Sequence, residues 1–189
     1  MKRRPILAIS LAAIFILPAV AGQQRRPPIH STANMEHMKP KSGVSAMDRS
    51  FAKGAAIANM AEVKLGQLAQ RNGGTWAKGF GRDMEREHTM AQKELMSLAR
   101  SKKIALSADI DATHKMLYSR LSRLHGAAFD SAYRSEMIKG HTKVLAAIRK
   151  EIKSGNDTMV KGYAVKMEPA VEMHLRNAQE KKTMTMGHH

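Results

Sequence analysis

Four ionisable side chains sit where the surrounding spacing asks for apolar ones: Glu62, His88, His141 and His174. Each falls in a run of three- and four-residue steps, the spacing that keeps side chains on one face of a helix. The four runs are Phe51, Ala55, Ala58, Glu62, Leu65 and Ala69; Trp76, Phe80, Met84, His88, Ala91 and Leu95; Tyr133, Met137, His141, Val144 and Ile148; and Val160, Ala164, Met167, Val171, His174 and Ala178. One carboxylate and three imidazoles converging in a dry core form a nitrogen and oxygen donor set for a metal, compatible with zinc, copper, iron or manganese. The same residues also suit a hydrogen-bonded network that sets helix register. Residue types alone leave both open.

Other chemistry is narrower. Glu85 and His88 make one Glu-x-x-His pair, half of the di-iron pattern of helical bundles. The second half is missing, because Glu136 and His141 are five apart and Glu172 and His174 two apart. With no Cys in 189 residues, disulfides, thiolate zinc sites, iron–sulfur clusters and thiol catalysis are excluded. No glycine-rich phosphate loop or serine elbow is present, and no catalytic residue is assigned. The ends hold a different donor set: Met35, His37 and Met38, then Met184, Met186, His188 and His189. Thioethers and imidazoles suit Cu(I), which makes copper buffering an alternative reading.

The elements that must position these residues are helices. Asp48 is the expected cap of a first helix ending at Asn72, Gly73 and Gly74; Thr75 caps a second, running to about Lys102. A weaker stretch from Ile104 to Gly126 holds a short helix capped by Asp109 or Asp111. A third long helix starts near Phe129 and ends at Ser154, and Asp157 caps a fourth, with Pro169 inside it. Short turns pair the first helix with the second and the third with the fourth. The expected fold is all-α: a four-helix bundle, ferritin-like, with a long partly helical crossover between the second and third helices, which then run parallel. At 1.5 Å per residue, Glu62, His88, His141 and His174 fall at about 21, 17, 18 and 25 Å along such a bundle. Without the crossover His174 drops to about 11 Å, so site and topology are linked expectations.

Residues 1–21 read as a signal peptide: Lys2, Arg3 and Arg4, an apolar run from Ile6 to Leu17, and small residues at Ala19 and Ala21. Cleavage is expected after Ala21, giving an exported, periplasmic protein with residues 22–46 as a flexible leader, 47–181 as the bundle and 182–189 as a Met/His-rich tail. The formal charge of +16 loses the three positive charges of that peptide and becomes +13. Lys53, Lys64, Arg71, Lys78, Arg82, Arg86, Lys93 and Arg100 lie off the apolar runs. They form a basic face suited to envelope polyanions such as lipopolysaccharide or anionic lipid. Eight aromatics and export make specific nucleic-acid binding a poor fit.

Several spaced motifs are familiar. Glu62-Val63-Lys64-Leu65-Gly66-Gln67-Leu68-Ala69, Phe80-x-x-x-Met84-x-x-x-His88, Phe129-Asp130-x-x-Tyr133-x-x-x-Met137-x-x-x-His141 and Pro169-x-x-x-x-His174-Leu175 resemble the bacterial exported proteins grouped as "domain of unknown function 4142". The resemblance runs from Asp48 to Glu180. It implies a periplasmic helical bundle, similar to the ferritin-like superfamily, with no assigned biochemistry. Glu87 stands where that family usually has Asp, and the Met- and His-rich ends are not part of its pattern. The family label "outer membrane" does not imply a barrel here, since nothing alternates at period two.

Overall fold

A computed structural model describes residues 43–180. The expected signal peptide, most of the leader, and the Met and His clusters of both ends lie outside the described residues. Five helices and no strand occur among those described: α1 (Ala46–Asn72), α2 (Thr75–Ser101), α3 (Ala112–Leu121), α4 (Gly126–Ser154) and α5 (Thr158–Gln179). No helix among them is long and apolar enough to cross a membrane.

The start of α1 differs from expectation. Ser45, not Asp48, is the cap: its hydroxyl accepts from the Asp48 N–H at 3.2 Å while the Asp48 carboxylate accepts from the Ser45 N–H at 2.5 Å. This reciprocal capping box satisfies two orphan donors of the first turn. Asp48 also reaches the α4–α5 turn, where it accepts from the backbone N–H of Asn156 at 2.8 Å and of Asp157 at 3.3 Å. Thr75 is likewise the first helical residue of α2 and not its cap. Gly74 caps without a side chain, and its N–H donates to Asp130 of α4 at 2.8 Å. Of the two expected alternatives for α3, Asp111 is the cap. The α4 helix begins three residues before Phe129, at Gly126, whose φ of 53° suits a residue without a Cβ. Asp157 caps α5 as expected, accepting from the Met159 and Val160 N–H groups.

Cross-helix partners give the helix directions. Asn59 meets His88 and Gln67 meets Glu85, so α1 and α2 run antiparallel. Their closest approach is at Gly66 and Gly81: a Cβ on Gly66 would lie 2.5 Å from the Gly81 carbonyl oxygen, and one on Gly81 2.6 Å from that of Gly66. Any side chain at either position would push the two backbones apart. Lys102 meets Asp157, Glu94 meets Lys166 and Glu87 meets His174, which makes α5 antiparallel to α2. Arg149 pairs with Glu168 and Arg134 caps the Ala178 carbonyl, so α4 and α5 are also antiparallel. It follows that α2 and α4 run the same way. The connector between them is lashed to the end of α1, where the Asn72 amide donates to the Ser122 and Leu124 carbonyls at 3.2 and 2.9 Å.

The apolar core is interrupted at mid-height. Leu65, Leu68, Phe80, Met84, Phe129, Tyr133 and Met137 fill one end. Ala52, Ala56, Leu95, Leu98, Val160 and Tyr163 fill the other, beside Leu145, Ile148 and Val171. Between these groups lie His88, His141 and His174, at 8 %, 2 % and 3 % exposure.

Candidate metal centre

Each histidine reaches this layer from a different helix and commits one ring nitrogen to a protein acceptor. His141 Nδ1 lies 2.9 Å from the Met137 carbonyl oxygen, which can only accept, so Nδ1 carries the hydrogen. His174 Nε2 donates to Glu87 Oε2 at 2.8 Å. Burial pushes the Glu87 carboxyl up, but hydrogen bonds from His174 and Arg86 outweigh it and hold the group below its ordinary value, ionised. His88 Nδ1 is 2.9 Å from Asn59 Oδ1; the Asn59 amide nitrogen is engaged with the Tyr163 hydroxyl at 3.1 Å and Gln92 at 3.4 Å, which leaves its oxygen as the acceptor.

The opposite nitrogens are His88 Nε2, His141 Nε2 and His174 Nδ1. All three are buried and have no hydrogen-bond partner among the described residues. With the other nitrogen of each ring donating, these three carry bare lone pairs in the neutral form of the ring. Burial holds His88 well below the ordinary histidine value, helped by His141 and His174; burial also lowers His174, against the pull of Glu87. One ring nitrogen from each histidine lies within 4.8 Å of one from each of the others. The ring centres are 6.0, 5.5 and 5.4 Å apart for the pairs 88–141, 88–174 and 141–174. Three imidazoles on a tetrahedral ion, with bonds near 2.0–2.1 Å, put ring centres about 5.2 Å apart. The ring centres stand within about an ångström of that spacing, and the ligand nitrogens, within 4.8 Å of one another, must close to about 3.3 Å to share such an ion. Phe80 packs edge-on against both His141 and His174, with centroids at 6.4 and 6.3 Å, and shields that side with an apolar ring.

Of the four predicted ligands, the structure brings together the three histidines; Glu62 is not in the group. Its Oε2 is enclosed and without a hydrogen-bond partner, and burial raises its pKa, partly offset by His141. Its Oε1 lies 3.7 Å from where a Cβ on Gly140 would stand. Glu85 turns elsewhere: its two oxygens accept from Gln67 at 2.8 Å and Gln70 at 2.6 Å, so the Glu-x-x-His pair does not act as a unit. Asn59, Glu87 and the Met137 carbonyl orient the rings, and none of them is among the four ligands that the spacing predicts. Asn59 was within reach of pattern reading, since it lies four residues after Ala55 and three before Glu62.

Glu62, His88, His141 and Asn59 also line the polar end of a cavity of about 400 Å³ between α1, α4 and α5, whose remaining walls are mainly apolar. Such a volume with a few convergent polar groups has the usual make-up of a small-ligand site.

Comparison with curated proteins and with solved structures finds no match. A family model described as "Domain of unknown function (DUF4142)" matches residues 33–180, and the chain therefore belongs to the DUF4142 family.

Proposed function

We propose that this chain is an exported, periplasmic metal-binding protein that holds one transition-metal ion on His88, His141 and His174, within a single-crossover bundle of the ferritin-like type. The observation that carries this reading is the set of three buried lone pairs, each on a ring whose other nitrogen is fixed by an acceptor. Histidine ligands in metal sites are oriented in this way, by a carbonyl or carboxylate behind the ring. A hydrogen-bonded structural network would instead pair those nitrogens with donors, and none is present among the described residues. Three imidazole ligands suit zinc, copper or iron better than a hard cation. Glu62 lines the cavity beside His88 and His141 but stands outside the group of three, which leaves a further position on the ion open.

Zinc titrated to one hundred times its Kd should stabilise the folded state by about 2.7 kcal/mol. For a domain of this size that corresponds to a rise in Tm of about 8 °C. His141→Ala should abolish the rise. If zinc, copper, iron and manganese all leave the wild-type Tm unchanged, the proposal is wrong.

A second reading concerns the surface. All eight basic residues named from the first two helical runs are exposed, which supports contact with envelope polyanions. Retention on immobilised lipopolysaccharide should then fall steeply between low and high salt.

A further inference from the structure

We propose that the cavity between α1, α4 and α5 binds a linear aliphatic carboxylate, with its head group on the metal and its tail along the apolar wall. The inference rests on the metal reading above and assigns the ligand class of the same centre. Two of the three histidines, His88 and His141, line one end of this cavity, whereas His174 approaches from outside its lining. A tri-histidine ion keeps at least one open position, and the cavity is where a donor atom can reach it. Neutral rings cannot themselves hold a carboxylate, since lone pair would face lone pair, and Glu62 lines the same end; the ion is what makes an anionic head group acceptable there.

The far part of the cavity selects the tail. From the His141 level the walls run two to three turns along α4, past Val144 and Ile148 to Glu151 at the far end, with Phe51 and Ala55 opposite on α1 and Met167 beneath on α5. A volume of about 400 Å³ accommodates an alkyl chain of about twelve carbons, and each buried methylene adds to affinity. The mouth carries the matching charge. Lys143 and Lys150 are exposed on the α4 rim and form no ion pair among the described residues, so they favour an incoming anion. Gly54 stands on the α1 rim, where an added Cβ would meet nothing within 4 Å.

Isothermal titration of the purified protein with zinc, then of the zinc-loaded protein with dodecanoate and with acetate, separates the two claims. Dodecanoate should bind one-to-one and at least about 100-fold more tightly than acetate. Ala58→Phe, which fills the middle of the cavity, and Gly54→Leu, which narrows the mouth where space is open and so leaves folding intact, should each weaken dodecanoate at least about tenfold. Both should leave zinc binding unchanged. Zinc binding without dodecanoate binding, equal affinity for acetate and dodecanoate, or dodecanoate affinity untouched in both variants overturns the ligand assignment alone. Absence of zinc binding in the wild type overturns the metal reading, and the anchored head group with it.

Discussion

The histidine layer and the carboxylate cluster where α1 meets the α4–α5 turn are both buried polar groups, and the acceptors of Asp48 and of the histidines are met in opposite ways. In the cluster, Asp48 and Glu151 are 0 % and 1 % exposed. Asp48 accepts from the backbone N–H groups of Ser45, Asn156 and Asp157, and these bonds hold it well below the carboxylate range against the opposing effect of burial. Glu151 lies over Gly155, which has no side chain to obstruct it. Burial first, then the neighbouring Asp48 carboxylate, push it up to about 7. Both Glu151 oxygens are buried without a hydrogen-bond partner among the described residues, so within the cluster it is Asp48 whose acceptors are filled. Asp157 completes the cluster through the Met159 and Val160 N–H groups and Lys102 at 2.7 Å. In the histidine layer one nitrogen of each ring is bonded and the other is not. Saturated acceptors pin a chain; converging unsaturated ones cost stability unless a cation joins them.

The largest effect expected from this contrast is at Asp48. Asp48→Ala removes the capping box and strands buried N–H groups of the α4–α5 turn, which should cost about 3–4 kcal/mol in urea unfolding, with or without metal. A loss below about 1 kcal/mol would mean the cluster is not a structural lock.

His141→Leu should behave in the reverse manner. Without metal it removes a bare acceptor and should change stability by less than about 1 kcal/mol. With zinc at one hundred times the wild-type Kd it forfeits about 2.7 kcal/mol. Equal losses in both conditions would make the layer a structural network and erase the distinction.

Glu87→Gln probes the outer support of His174. The amide keeps an acceptor but no charge, and zinc affinity should fall about 10–100-fold while the metal-free Tm barely moves.

The smallest effect is a pH dependence. The folded state holds the Glu151 proton more tightly than the unfolded chain, so the stability it contributes is whole below about 4.5 and is lost as pH rises through about 7. Glu151→Gln should therefore exceed wild type by about 1–2 kcal/mol at pH 8, and the gain should vanish by pH 5. A gain independent of pH would show that Glu151 carries no proton of its own.

Reading along the chain locates helices well where a local rule operates. The Asn72, Gly73 and Gly74 turn, the Asp157 cap and the four apolar runs are local features, and each appears where spacing puts it. Asp48 misled because a carboxylate near a helix start can serve at the cap or at N3; the choice depends on Ser45 and on partners more than a hundred residues away. Glu62 shows the corresponding limit for the site. Periodicity puts it on the inward side of α1, but a helix face is broad, and whether its carboxyl meets the histidines or turns toward Gly140 is decided by the facing helix.

Helical periodicity, the inward side of each helix and hence the four candidate ligands are legible in the chain alone, because a 3.6-residue repeat is a property of one segment. The convergence of three of them, the nitrogen of each ring that lacks a partner, and the cavity that reaches two of the rings come from how the helices pack. Those facts depend on the azimuth at which helices distant in sequence meet. That azimuth is set by contacts such as Gly66 against Gly81 and Asn59 against His88, which no single segment encodes.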